Sequence, residues 1–386
     1  MAATPLSIGV IGAGPGGLAF ARAAQLSGHT VQVYERYPHL TTRGGAISLA
    51  QGARCLCEHL GLEGELQAIG LDLSTFTVSL SAQKEQIAQE ITARLRRVMR
   101  TDLACILAAS LAPQTILFNK ELDSVHGPAE TGPVTCSFKD GSMASHDLVV
   151  GADGIHSRVR SQLFCAPSPL FSGFRMFVLL DQSGHRQRQG IQPGNLIMRL
   201  APGADGYLLE VSTTCSDGSY SDMVGVIFRT EEPTTDAWDH DAARHGFRQK
   251  LAPFVSGADD YLYSQLETAH AAWDWGTYEH APLASWSALE GRACLLGDAC
   301  HATTPFLGQG TNMAIQDAVC LARCLSTMTV QEATKAYEER RKPSCDGIVK
   351  GSKAMAEANI AAAESAEAAA QLLSKITSVQ TVDLII

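Results

Sequence analysis

The chain has 386 residues, 45% hydrophobic and 18% charged, with a formal net charge of −10. These values belong to a globular protein long enough for a substantial core and two domains. They argue against nucleic acid or an anionic membrane as partner, and no apolar run reaches membrane-spanning length. The short basic run Arg94-Leu-Arg96-Arg97 reads as a solvated face. Eleven scattered cysteines lack the spacing of a disulfide framework, a zinc site or a redox pair, as expected for buried thiols in a reducing cytosol. The apolar N-terminus lacks a basic n-region, so a signal peptide is not expected and a cytoplasmic location is.

Residues 6–11 form an apolar run that fits a buried parallel strand. Gly12-Ala-Gly14-Pro-Gly-Gly17 follows at once, then an Ala/Leu-rich helical stretch over 18–27, ended by Gly28. Residues 30–34 read as a second strand with Glu35 at its C-terminal end. This is the strand, glycine turn, helix, strand and acid of a dinucleotide-binding βαβ unit. Gly12 permits the tight turn, Gly14 lets a pyrophosphate approach the backbone, and Gly17 allows close helix–strand packing. Glu35 can accept hydrogen bonds from a ribose diol, and its charge disfavours a 2′-phosphate. FAD or NAD therefore fits better than NADP at this site.

Arg43-Gly-Gly-Ala-Ile47 begins a loop and strand, and residues 52–61 look helical. Residues 71–96 alternate around Ser81-Ala-Gln-Lys84, which predicts a hairpin, and residues 98–111 predict a helix with Arg100 near its start. A further strand over 147–152 leads to Asp153-Gly154 and on to Arg160. Strand-like runs then recur at 174–180, 196–200, 207–213 and 222–228 with Gly, Pro and Asp turns between them. They predict an antiparallel sheet inserted between parts of a parallel α/β domain.

Residues 291–318 carry the most information. A short strand over 293–296 meets the polar turn Gly297-Asp298, then a loop with Pro305, Gly308 and Gly310, and a helix that starts near Gly310. The glycines let backbone N–H groups approach a ligand, and the helix start adds partial positive charge. Asp298 offers a carboxylate to sugar-type hydroxyls. Together they suit a large, polar, partly anionic cofactor. From Gln331 onward the chain is mainly helical, and the Ala- and Glu-rich stretch 355–375 predicts one long helix.

Three separated motifs, Gly12-x-Gly14-x-x-Gly17 with Glu35, Asp153-Gly154 ending in Arg160, and Gly297-Asp298, resemble the class A flavoprotein monooxygenases. This is the p-hydroxybenzoate hydroxylase fold, with salicylate hydroxylases and tetracycline-inactivating enzymes among its members. Residues 275–286 and 337–343 look like the segments that flank the last motif. The similarity covers about residues 6 to 345, and the sheet matches in pattern and placement rather than in residues.

The resemblance implies an α/β fold with a Rossmann-like FAD-binding domain (1–70, 97–169 and 284–345). It adds an inserted antiparallel β-sheet substrate domain (71–96 and 170–283) and a C-terminal helix (346–386). Gly12, Gly14 and Gly17 would hold the FAD pyrophosphate, and Glu35, with Arg36 beside it, the adenosine ribose. Arg43 and Arg100 would meet the ribityl–phosphate region and Asp298 the ribityl hydroxyls. Pro305, Phe306, Gly308, Gln309, Gly310, Thr311 and Asn312 would lie beside the isoalloxazine. Asp153 and Arg160 belong to a motif linked to FAD and reduced nicotinamide, although Arg160 equally suits a salt-bridged turn that braces the fold.

NADPH or NADH would be a transient co-substrate without its own glycine motif. O₂ and an aromatic or polycyclic small molecule would be the other reactants, with hydroxylation through a flavin C4a-hydroperoxide. Donors at Gly308 to Gly310 suit the anionic N1–C2=O edge of reduced flavin. The flavin carries the chemistry, so neither a catalytic side chain nor a metal site is assigned. A monomer or weak dimer is expected. The alternatives are epoxidation or Baeyer–Villiger insertion, and a non-oxygenating flavin-binding sensor or scaffold docking through its C-terminal helix.

Trp273-Asp-Trp275 is faintly similar to the Trp-x-Trp-x-Ile-Pro signature of flavin-dependent halogenases, but Gly-Thr-Tyr follows, which departs from it. His301 lacks partners at ligand spacing and reads as structural. Arg186, Arg188, Arg199 and Arg229 are candidates for a substrate carboxylate or phenolate, each also readable as a surface residue. Phe306 is a candidate wall for an aromatic ring.

Overall fold

The computed structural model describes residues 4–40, 44–80, 85–127, 132–233, 240–255, 257 and 260–379. Arg43 and the 81–84 turn lie outside them. In chain order the elements begin with β1 (Ser7–Ile11), α1 (Pro15–Leu26), β2 (Thr30–Tyr34), β3 (Ala46–Leu49), α2 (Gln51–Leu60) and α3 (Glu63–Ala68). The pair β4 (Leu71–Leu80) and β5 (Glu85–Met99) leads into α4 (Arg100–Ala109) and β6 (Ile116–Leu117). Then come β7 (Leu122–His126), β8 (Val134–Phe138), β9 (Met143–His146), β10 (Leu148–Gly151) and α5 (Arg158–Leu163). The second excursion holds β11 (Leu170–Asp181), α6 (His185–Arg188), β12 (Asn195–Leu200), β13 (Gly206–Thr214) and β14 (Tyr220–Arg229). It ends with α7 (His240–Leu251), α8 (Tyr261–Thr268) and β15 (Ala271–Glu279). The chain returns through β16 (Ser287–Ala288), β17 (Ala293–Leu295), α9 (Asp298–His301), α10 (Gly310–Leu325), α11 (Val330–Ala361) and α12 (Ala366–Val379).

The six-stranded sheet runs β16-β17-β10-β1-β2-β6, parallel from β17 to β6, with β16 antiparallel at the edge. Both faces are covered, which is why its strands read as continuous apolar runs: Ile8, Val10, Val33, Val149, Val150 and Leu295 are fully buried. On one face α1 and α10 pack closely, because a Cβ at Gly16 would stand 2.8 Å from the Leu296 side chain and 3.0 Å from Ala314. The other face carries the three-stranded sheet β7-β8-β9, absent from the sequence expectation; His146 of β9 fills the space a Cβ at Gly9 would need. The strand order reverses between β1 and β10. In open α/β sheets such a switch point leaves a crevice at the carboxyl ends of the strands.

The eight-stranded sheet runs β15-β11-β14-β13-β12-β4-β5-β3. It is antiparallel as expected except between β4 and β12, which pair in parallel. These two strands belong to separate excursions of the chain, so no hairpin dictates their relative direction. The sheet is strongly curled. Arg97 Nη2 on β5 lies 3.2 Å from Met223 Sδ on β14, although three strands separate them in sheet order. Helices α7 and α8 cover the convex side over Phe177, Leu208, Val226 and Phe228. On the concave side α11 and α12 cover Phe76, Val78, Met198 and Tyr207.

Two expectations need correction. Met99 and Val98 pair with Ala46 and Ile47, so Val98 belongs to a strand and the helix starts at Arg100. The stretch 355–375 is broken: a 3-10 turn over Ala362–Glu364 is followed by Ser365 in extended conformation, whose hydroxyl accepts the Ala368 N–H. The break turns α12 back onto the sheet, where Ala369, Leu372 and Leu373 become buried. Helix propensity favours one rod, but burial of that apolar stripe outweighs it.

Candidate functional site

The crevice at the switch point is built by the glycine turn, the 152–154 turn, the Leu296-Gly297-Asp298 turn and the start of α10. Gly12 has φ +105°, and a Cβ there would stand 2.5 Å from Ala152 O, so the turn admits only glycine. A Cβ at Gly17 would collide with the Gly12 carbonyl oxygen, whereas one at Gly14 would meet nothing within 4 Å. Neither helix start is capped by a side chain: α1 begins after Gly14 with Pro15 at N1, and α10 begins after Gln309. Uncapped N–H groups and the helix dipole suit an anion at both ends of the crevice.

Glu35 lies at the end of β2, where Oε2 accepts the Ala13 N–H and Oε1 the Tyr37 N–H, both at 2.9 Å. This double tether holds the carboxylate beside the glycine turn and leaves a lone pair on each oxygen for a diol. Arg36 is exposed and stacks on Tyr37. Asp298 lines the crevice half-buried, and its carboxylate accepts no hydrogen bond from the described residues. FAD therefore fits this crevice: it offers uncapped helix starts, open space over Gly14 and a free carboxylate on the opposite wall. Thr311, Gly310 and Gly154 line the same crevice.

Beyond it, Pro305–Leu307 forms a 3-10 turn closed by Gly308 in the left-handed region, φ +63°. Phe306 reaches the sheet and meets Phe174 edge-on at 5.2 Å between ring centroids. Gln309 donates back to Leu307 O. Asn312 is fully buried, and its side chain is spent inside the protein: Oδ1 accepts from the Ala50 and Gly52 N–H groups, and Nδ2 donates to Ser48 O and Gly308 O. It clamps the loop to β3 and α2, leaving its backbone as what a cofactor could meet. Arg100 sits at the start of α4 beside Gly44, whose φ is +110°.

Asp153 Oδ2 accepts the Arg158 and Val159 N–H groups, which sets the turn into α5, and burial pushes this carboxyl up. Arg160 is buried and donates to the carbonyls of Ala281, Ala299 and Cys300. It braces the segment after Asp298 through carbonyls, so the expected salt-bridged turn is corrected in its partners. His301 is structural: its Nε2 lies 2.6 Å from Asp317 Oδ2, and Arg341 Nε donates to Asp317 Oδ1 at 2.8 Å. His301, Asp317 and Cys345 form the one group of potential metal ligands among the described residues, and the Arg341 guanidinium already supplies their cation.

The arginine expectations divide. Arg186 is fully buried, held by Ser212 Oγ and Asn195 O, and Arg199 is paired with Glu210 and Asp260. Both lie among structural partners, and a surface role is wrong for Arg186. Arg188 bonds Ser183 O, and Arg229 pairs with Glu357 and Asp205 near the surface. Reading the 94–97 run as a solvated face also fails, because Arg97 is buried and Arg96 is tied to Leu66 O, Gln67 O, Ile69 O and Asp72. Arg97, Gly45 and Trp275 meet on the concave face, a place that sequence reasoning did not assign to them. Strand alternation along β5 was the available signal, since Leu95 and Arg97 share a face.

All eleven cysteines are free thiols, and no helix among the described residues is long and apolar enough to cross a membrane. The FAD binding domain family model matches residues 6–352. Among curated proteins the chain is 26% identical over 340 residues to 6-hydroxynicotinate 3-monooxygenase of Pseudomonas fluorescens, covering 86% of this chain and 85% of that one. It is 27% identical over 361 residues to aurachin C monooxygenase/isomerase of Stigmatella aurantiaca, covering 90% and 88%. The structure of Klebsiella pneumoniae HpxO complexed with FAD and uric acid superposes with a TM-score of 0.80 at 23% identity, over 97% of this chain and 93% of that one. With the crevice geometry, these likenesses show that the chain belongs to the FAD binding domain family and is an FAD-dependent monooxygenase.

Proposed function

We propose that this protein uses NADPH or NADH and O₂ to hydroxylate an aromatic or polycyclic small molecule. The substrate would be held between the concave sheet face and the 305–312 loop. The observation that carries this reading is the junction of crevice and sheet: a Cβ at Gly44 would stand 3.2 Å from the Trp275 ring and 3.3 Å from the Arg100 guanidinium. The FAD-binding segments 1–70, 97–169 and 284–345 would then act with the sheet segments 71–96 and 170–283 as two domains around one cavity. The segment 346–386 would close its back. A cytoplasmic monomer or weak dimer fits the acidic, thiol-rich chain.

Bound FAD would take hydride from the nicotinamide and activate O₂. The chain's own part is to bind, orient and keep dry. Gly12, Gly14 and Gly17 with the α1 start would hold the pyrophosphate, Glu35 and Arg36 the adenosine end, and Arg43, Arg100 and Asp298 the ribityl region. Asp153 and Gly154 would shape the wall between them. The N–H groups from Gly308 to Asn312 and the α10 start would stabilise negative charge on the flavin edge. Pro305, Phe306 and Trp275 would exclude water from the reacting faces.

The test is direct. The purified protein should be yellow with FAD bound, and its oxidation of NADPH or NADH under air should accelerate when the right aromatic ligand is added. Protein that holds FAD yet oxidises neither nicotinamide across an aromatic panel would sink the oxygenase reading.

A further inference from the structure

One cation on the concave face of the curled sheet has no anion among the described residues. Arg97 is only 5% exposed. Its Nη1 donates to Ser48 Oγ at 3.1 Å, Nη2 meets the Met223 thioether sulfur at 3.2 Å, and Nε has no partner. The other buried arginines are differently placed: Arg186 and Arg341 face carboxylates, as does the partly buried Arg199, and Arg160 faces three carbonyls. Burial opposes charge on Arg97, and the neighbouring Arg186 adds repulsion. Burying a guanidinium against one hydroxyl and a thioether, with Nε unpartnered and no carboxylate among the described residues, is costly.

The two nitrogens without an oxygen partner lie on one edge. Nε and Nη2 form the side of the planar guanidinium that grips a carboxylate through two parallel hydrogen bonds. What covers that edge is Met223, an unbranched, half-buried side chain whose sulfur is a weak acceptor. Around it the face is apolar. A Cβ at Gly45 would stand 3.0 Å from Met223 Sδ and 3.3 Å from Leu180, and Val211 and Leu95 are buried nearby. On the same face Trp273 and Trp275 stack with centroids 5.9 Å apart and planes 8° apart, and Trp275 reaches Gly44 beside Arg100. An aromatic pair, a displaceable thioether and a guanidinium without a carboxylate thus share the concave face, and Ser48 links Arg97 to Asn312 of the cofactor loop.

We propose that Arg97 is a specificity-determining residue: it receives the carboxylate of an aromatic acid on its Nε–Nη2 edge once Met223 swings aside. The ring then lies along the apolar face toward Trp275. This rests on the oxygenase reading above and narrows its substrate class to aromatic carboxylates.

The experiment uses the FAD-loaded protein and three matched pairs of aromatic acid and primary amide, with one, two and three fused rings. Binding is read by calorimetry and by the change in flavin absorbance. Wild type should bind at least one acid about ten-fold or more tightly than its amide, and Arg97→Met should bring that ratio to within about two-fold. Arg97→Met should also melt no lower than wild type without ligand, since it removes an unpaired buried charge at similar volume. Met223→Ala, which uncovers the edge, should tighten the same acid. Equal binding of acid and amide in every pair, no binding of any acid, or a preference that survives Arg97→Met overturns the proposal. So does a drop of several degrees in Arg97→Met, which would make Arg97 a support of the fold. Protein that arrives without FAD fails the oxygenase reading instead, and calorimetry still reads the acid preference.

Discussion

Asp317→Asn tests the buried support beneath the crevice. The carboxylate is fully buried and holds two cations, His301 through Oδ2 at 2.6 Å and Arg341 through Oδ1 at 2.8 Å. It also accepts the Gly297 N–H at 3.3 Å, so the turn that carries Asp298 hangs on the same side chain. Burial opposes ionisation of Asp317, but His301 and Arg341 outweigh it and hold the carboxyl below its ordinary range. Burial likewise opposes charge on His301, and Asp317 outweighs it, so the imidazole keeps its proton well above its usual range. The amide preserves shape but not charge. Breaking one partner out of a buried ion cluster costs about 3–5 kcal/mol. With roughly 2.1 cal/mol/K of unfolding entropy per residue, 386 residues give about 0.8 kcal/mol/K, so the melting midpoint should fall by about 4–6 °C.

The pH dependence has a definite sign. A depressed folded pKa for Asp317 means that its contribution is present above the unfolded carboxylate value and is lost as pH falls through the folded one. A raised folded pKa for His301 means that its contribution is full below the unfolded imidazole value and is lost as pH rises through the folded one. The gap in midpoint between wild type and variant should therefore be widest at about pH 4–6.5 and narrow on both sides. Scanning calorimetry from pH 4 to 9 measures it, and flavin retained through gel filtration reads the displaced turn. A gap below about 1 °C at pH 6 with full FAD retention would refute the argument.

Asp298→Ala should keep the wild-type melting midpoint of the apo-protein while losing FAD, because the carboxylate accepts no hydrogen bond from the described residues; full occupancy by absorbance would remove Asp298 from the site. Gly17→Ala forces a methyl into the Gly12 carbonyl and should cost about 1–3 kcal/mol in urea unfolding, with weaker FAD binding. Leu373→Ala, in the helix folded back on the sheet, should cost about 2–5 kcal/mol and leave FAD content unchanged. A loss of flavin from that variant would show that α12 reaches further than its packing indicates.

Much of the crevice was legible because its parts are local. A strand, a glycine turn and a helix start are set by neighbours within a few residues, so Gly12, Gly17, Glu35 and the Gly297-Asp298 turn could be placed from spacing alone. Asn312 was located but not understood, since its four hydrogen bonds go to segments some 260 positions away or across the loop. Arg97 was misread for the same reason. A run of three arginines says charge, and charge says solvent, until a strand pairing turns one of them inward.

The sequence by itself determined the βαβ unit, the inserted run of strands and a helical C-terminal region, because hydrophobic period and turn chemistry are short-range properties. Tertiary structure alone decided the parallel β4–β12 pair, the return of α12, the Asp317 ion cluster and the curl that sets Arg97 against Met223. Each depends on which distant segment covers which face. Burial is assigned by long-range contact, and a side chain's polarity only states the cost of being covered.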